Sequence, residues 1–161
     1  MLTWQERVSL HNQFKILEIL DPTHAEDYQQ KQEIVARGYE ALYSTINEHV
    51  TGEPVHKKLT DEVHEIFDLF RALHTSKKRL GYTPSSKNTD FIGYDGHHEA
   101  EHHSYANFVL DRLGKWEESR DRPRNPHMPV IGKYTRMLEI WHRNGRAFKL
   151  TDTEIEQIGE A

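Results

Sequence analysis

A chain of 161 residues with a formal charge of −5, histidines counted neutral, and no cysteine is long enough for one domain that buries roughly two thirds of its unfolded surface. The missing cysteine excludes disulfides, thiolate metal sites and cysteine nucleophiles, and the acidic balance argues against nonspecific contact with phosphate backbones. The segment Met1 to Arg7 lacks the basic-then-apolar pattern of a secretory signal, and no apolar run approaches the ~20 residues of a membrane span, so a soluble cytoplasmic protein is expected.

Charge is uneven along the chain. Residues 1–110 carry 11 Lys and Arg against 17 Asp and Glu, whereas residues 111–149 carry 10 against 5. The basic stretch reads first as a solvated face and second as a hint of an anionic partner.

Thr3 with Glu6 forms a capping box that opens a first helix, with Trp4, Val8, Phe14, Leu17 and Leu20 as its apolar stripe. Asp21-Pro22 stops it and starts a second helix, which runs to about Arg37 through Ala25, Tyr28, Gln32 and Val35. Gly38 ends that helix or admits a close neighbour, and Tyr39, Leu42, Tyr43 and Ile46 continue helical spacing to about His49. The stretch Thr51 to Pro54 reads as a linker. Thr60 is expected to cap a strong helix striped by Val63, Ile66, Phe67, Phe70, Leu73 and Leu80, with Gly81 closing it. Tyr82 to Asp90 has loop composition, which predicts a surface segment. Phe91 to Gly96 predicts an ordered aromatic turn into a helix over 97–113, with Ala100, Tyr105, Phe108, Val109 and Leu113 inward. Residues 115–129 hold three prolines and read as a second long loop. Val130 to His142 resumes helical spacing with Tyr134, Met137, Leu138 and Trp141. Thr151 and Glu154 start a short last helix with a second capping box.

No strand run, heptad seam or internal repeat is visible, so the expectation is an all-α protein of six or seven helices. It is expected to form one compact unit over 1–161, with an N-terminal helical hairpin over 1–50 and a main helical region over 51–161.

Several blocks fall in order along almost the whole chain. They are Leu10-x-Asn12-Gln13-Phe14-Lys15, Leu20-Asp21-Pro22 and Arg37-Gly38-Tyr39, then Ala72-Leu73-His74 and Phe91-x-Gly93-Tyr94-Asp95 with Glu99-Ala100 and Tyr105. Tyr134-x-Arg136-Met137-Leu138, Trp141-His142 and Glu154-Ile155-x-Gln157-Ile158 complete the set. In these blocks the chain resembles the YfbU family of bacterial proteins. The resemblance implies a helical hairpin joined to a larger helical part, together with self-association. It supplies no substrate and no catalytic residues. Glu99 fits the family pattern, whereas His98 and His102 depart from it, which counts against a zinc site shared across the family.

Two constellations could carry chemistry. His98-Glu99-x-x-His102 has zinc-hydrolase spacing: the two imidazoles share a face if the helix has begun by His98, and Glu99 would act as general base. A third protein ligand has no recognisable spacing downstream, and a polar helix start accounts for the same residues. Arg136 and His142 resemble the paired Arg and His of HEPN-type metal-independent ribonucleases, with Arg stabilising phosphoryl charge and His moving protons. Six positions on a regular helix place the two about 240° apart, however. The aromatics Phe67, Phe70, Tyr105, Phe108, Tyr134 and Trp141 read as core rather than as a cofactor box, and no cofactor is implied.

The main expectation is therefore a noncatalytic, self-associating binding or interaction protein, a dimer at first guess. Its partner would be a protein or a small anionic ligand, with nucleic acid and membrane disfavoured. Asp95, Glu99, Tyr105, Tyr134 and Arg136 are the candidate binding residues, placed in a pocket between the Gly93–Tyr105 segment and the Tyr134–His142 helix.

Overall fold

The structure, a computed structural model, describes residues 1–46 and 53–161. The expected helix end near His49 and the start of the Thr51–Pro54 linker lie outside the described residues. Among those described there are seven helices, no strand, and 67% helical content, so the protein is all-α. The chain divides into two compact units, Met1–Pro54 and Val55–Ala161.

In the first unit, α1 (Trp4–Leu20) opens with the Thr3–Glu6 capping box and closes at Asp21. A 3-10 turn at Pro22–His24 leads into α2 (Ala25–Arg37), which ends at Gly38 in the left-handed conformation, φ 71°. A second 3-10 turn and the short α3 (Tyr43–Ile46) follow. The α1–α2 seam is more polar than the sequence suggests. Glu18 accepts hydrogen bonds from Gln29 Nε2 at 2.6 Å and Gln32 Nε2 at 2.7 Å, and among the described residues the buried apolar cluster is Phe14, Val35 and Ile46. The stripe expected on α1 splits accordingly. Phe14 turns inward, while Trp4, Val8, Leu17 and Leu20 are exposed, as are Ile16 and Ile19.

The second unit is built on α4 (Lys57–Leu80), which contacts three later helices: α5 (Ala100–Asn107), α6 (Ile131–Arg143) and α7 (Asp152–Gly159). Thr60 does not cap α4. His56 does, its ring accepting from the Lys58 amide at 3.2 Å, while the Thr60 hydroxyl bonds back to the Lys57 carbonyl. The helix therefore starts one turn earlier than Thr60 suggests, and ends as expected at Gly81 with φ 61°. The core joins Val63, Ile66, Phe67, Phe70 and Leu73 of α4 to Phe91, Tyr94, Tyr134, Met137, Trp141, Ile155 and Ile158.

The helix expected over 97–113 is shorter and changes pitch. Its α part starts at Ala100, and Phe108–Arg112 forms a π turn closed by the Leu113 amide on the Phe108 carbonyl at 3.2 Å. Ala106, Val109 and Leu110 point inward at ordinary helical spacing, and Ala100 and Phe108, both expected inward, fall off that face and are exposed. Leu113, also expected inward, follows the wider turn, which carries it off the buried face.

Tyr82–Asp90 runs over the surface, but its path is fixed by packing onto α7. Glu156 accepts from Tyr82 Oη and from the Ser85 amide, and the Gly159 carbonyl accepts from Ser86 Oγ and Asn88 Nδ2. Burial by these contacts and the Glu156 carboxylate push the Tyr82 hydroxyl up to about 12, the hydrogen bond to Glu156 contributing most.

Candidate functional site

The turn from Phe91 to Glu99 is the candidate region most deeply built into the second unit. Phe91, Tyr94, Asp95 and Glu99 are all buried. Gly93, at φ 88°, lets the chain pass directly against the backbone of Arg124. Tyr134 of α6 holds the other side, its hydroxyl donating to the Gly93 carbonyl at 3.0 Å and accepting from the Ile92 amide at 3.3 Å. Phe91 and Tyr134 stack with ring centroids 5.8 Å apart.

Glu99 is the hub. One carboxylate oxygen accepts from the Asp95 amide at 2.9 Å. The other accepts from the Val130 amide at 2.6 Å and the Ile131 amide at 2.7 Å. Val130 is the N-cap of α6 and its own side chain supplies no capping hydrogen bond. A carboxylate from a distant part of the chain therefore satisfies amides that the helix cannot, at the end where the dipole favours negative charge.

Asp95 closes the turn locally. It accepts from the His97 amide at 2.9 Å and lies 2.7 Å from His98 Nδ1. The His97 hydrogen bond first, and His98 second, hold its carboxyl below the usual value of 3.8. A lowered folded pKa stabilises the fold above the ordinary carboxylate value, and that stabilisation is lost as pH falls through the lowered one. Thermal unfolding followed between pH 5 and 2 should thus show a steeper loss for the wild type than for Asp95→Asn. Parallel curves would mean that Asp95 ionisation is not linked to folding.

The zinc-type triplet is taken apart by this geometry. His98 lies in the turn ahead of α5, its side chain 71% exposed. His102 lies within the helix with its side chain 17% exposed, and its Nε2 is buried, unbonded and 3.6 Å from Glu62. The Glu99 oxygens are committed to three backbone amides. Among the described residues no three His, Cys, Asp or Glu side chains are grouped so as to hold a metal ion. Beside His102, Tyr94 is fully buried and its hydroxyl has no partner. Burial above all raises its pKa, as it does that of Tyr134, so both phenols stay neutral.

Arg136 and His142 also face different neighbours. Arg136 donates to the carbonyls of Ala161 at 3.0 Å and Gly132 at 3.1 Å. His142 Nε2 lies 2.9 Å from Glu65, which Arg146 also approaches, at 2.7 Å. Tyr105 belongs to a third group. Its hydroxyl is 2.9 Å from His64 Nε2, and the His64 ring lies 5.2 Å from that of Trp116. Of the five candidate binding residues, the structure brings Asp95, Glu99 and Tyr134 onto one turn and leaves Tyr105 and Arg136 elsewhere. Between the Gly93–Tyr105 segment and α6 stand the buried Phe91, Tyr94 and Tyr134 rings and the Glu99 carboxylate.

Trp116 was not singled out by the sequence. It is buried at φ 47°, donates from Nε1 to Asp68 at 3.0 Å, stacks on Phe67 and carries the Arg71 guanidinium over its ring. Only its being a tryptophan in a charged loop could have drawn attention to it.

These features define an all-helical protein whose larger unit is held by a buried carboxylate turn that caps a remote helix. A family model for the YfbU domain matches residues 1–161, the whole chain. The chain belongs to the YfbU family, and that membership brings neither a reaction nor a ligand with it.

Proposed function

We propose that the protein is a noncatalytic interaction module that self-associates through α1. The observation that carries this reading is the apolar face of that helix: Trp4 is 69% exposed, Ile16 56%, Ile19 77% and Leu20 73%, with Val8 alongside. The first unit has no cysteine to staple it and, among the described residues, three buried apolar side chains of its own. A helical unit this small ordinarily needs further burial, and association is one means of obtaining it.

A second copy is the occupant that the spacing favours. Positions 4, 8, 12, 16 and 20 form an i, i+4 ridge that winds about 40° per step around the helix, so two copies would cross along it at an angle rather than lie side by side. In an antiparallel two-fold pairing centred on Asn12, Trp4 meets Leu20 of the second copy and Val8 meets Ile16. Asn12 then faces its own copy, a polar pair of the kind that fixes register. The five apolar side chains would contribute on the order of 500 Å² on each side, about 1,000 Å² in all, at the threshold of a specific interface and below the range of standard stable ones. The noncatalytic part is supported by the engagement of Glu99, Arg136 and His142 in internal contacts.

Sedimentation or light scattering of the full chain tests the proposal. Wild type is expected as a dimer at micromolar concentration, and Ile16→Glu with Ile19→Glu as a monomer. A monomeric wild type, or a double variant that remains dimeric, would refute it.

A further inference from the structure

The second unit contains a cleft of about 590 Å³ lined by His74, Lys77 and Lys78 near the end of α4, by Tyr82 to Asp90, and by Arg122. We propose that this cleft binds an organic phosphate, meaning a small molecule with a phosphate group attached to a flat or apolar body.

The charge of the walls supports this ligand class. Lys77, Lys78, Lys87 and Arg122 line the cleft, with Asp90 as the one carboxylate among the described residues. Lys77 Nζ lies 2.7 Å from Asp90 and Arg122 Nη1 2.9 Å from its other oxygen, so one carboxylate is shared between two cations. Burial alone would raise the Asp90 pKa, but these two cations outweigh it and keep the carboxylate ionised. Lys78 and Lys87 are exposed, and among the described residues neither makes an ion pair. The cleft is therefore strongly cationic in a chain whose formal charge is −5. Such a local excess attracts anions and raises their encounter rate.

The negative end of α4 would oppose an anion here, but it is capped. The Tyr82 amide donates to the Lys77 carbonyl at 3.1 Å and the Gly81 amide to the Lys78 carbonyl at 3.4 Å. Lys77 Nζ is drawn inward to the Thr89 carbonyl and hydroxyl as well as to Asp90, which fixes one wall. The opposite wall is tied to α7 through Tyr82, Ser85 and Ser86, so the cleft is formed before any ligand arrives. Preformed clefts of about 300–1,000 Å³ suit small molecules. Tyr82, Pro84 and the lysine stems give apolar surface beside the cations, and a bare inorganic anion would leave that surface unused.

Calorimetric titration of the full-length protein with inorganic pyrophosphate and with ADP tests the assignment. Both should bind, ADP at least tenfold more tightly, and the affinity for both should fall as salt is raised. Lys78→Glu with Lys87→Glu should weaken both at least tenfold. These are exposed, unpaired side chains, so an unchanged unfolding temperature should accompany the loss. Arg143→Glu with Lys149→Glu changes the net charge equally outside the cleft and should bind as wild type does. The proposal is overturned by no binding of either probe at millimolar concentration, by equal losses in the two double variants, or by unchanged binding in the cleft variant. ADP binding no tighter than pyrophosphate overturns the organic body. The site lies within the second unit, so repeating the titration with Ile16→Glu plus Ile19→Glu separates failure here from failure of the self-association reading.

Discussion

Gly93→Ala is expected to destabilise the second unit by about 4 kcal/mol or more, a loss that only a few mechanisms produce. Two of them act together. A left-handed φ of 88° is strained for any residue with a side chain, at a cost of about 1–3 kcal/mol. The added Cβ would also stand 1.8 Å from the Arg124 carbonyl oxygen and 2.1 Å from its carbon. Those are backbone atoms and cannot rotate away, so either the 91–99 turn or the loop carrying Arg124 must move. Thermal unfolding by circular dichroism should show a midpoint lower by roughly 10–15 °C. Gly81→Ala serves as the comparison: its φ is also left-handed, but an added Cβ meets nothing within 4 Å. Its loss should be about 1 kcal/mol. Equal losses in the two variants would show that contact with Arg124 carries no weight.

Glu99→Ala should cost about 3–5 kcal/mol. It strips the acceptor from three amides at once, two of them at the start of α6, and hydrogen bonds to an ionised group are each worth about 1.5–3 kcal/mol. Water entering the space recovers part of the sum. Glu99→Gln is the more telling variant. It keeps the shape and one oxygen but turns an NH2 toward amides that need an acceptor, so about 2 kcal/mol should still be lost. A general base held for chemistry would tolerate the amide without loss of stability. A Gln variant that melts with the wild type would therefore overturn the capping role.

What the sequence made legible was local. The capping boxes at Thr3–Glu6 and Thr151–Glu154 and the stop at Gly81 stand as read, and of the two readings open at Gly38 the helix stop is present, because each is decided within four residues. Errors arose where a side chain had a choice of partner. Thr60 looks like a cap, but its hydroxyl bonds back to Lys57 once His56 has taken the capping position. Leu113 turns outward because the π turn before it leaves no periodic trace in the residues that form it. The stripe on α1 was visible, yet periodicity shows only that a face is apolar and not that the same chain covers it. The link between Glu99 and Val130 spans 31 positions. No spacing rule reaches that far, so the sequence marks Glu99 as a candidate for binding or for zinc chemistry and not as the cap of a remote helix.

The remote cap has a kinetic consequence. α6 cannot satisfy its first amides until the 91–99 turn is in place, so its nucleation depends on a contact distant in sequence. Its start should then be gained late in folding. In native-state hydrogen exchange, the Val130 and Ile131 amides should open only with the whole second unit, although they stand at the end of a helix, where fraying is the rule. A loop followed by a helix would in this way exchange as though it were core, with Glu99 as the timer.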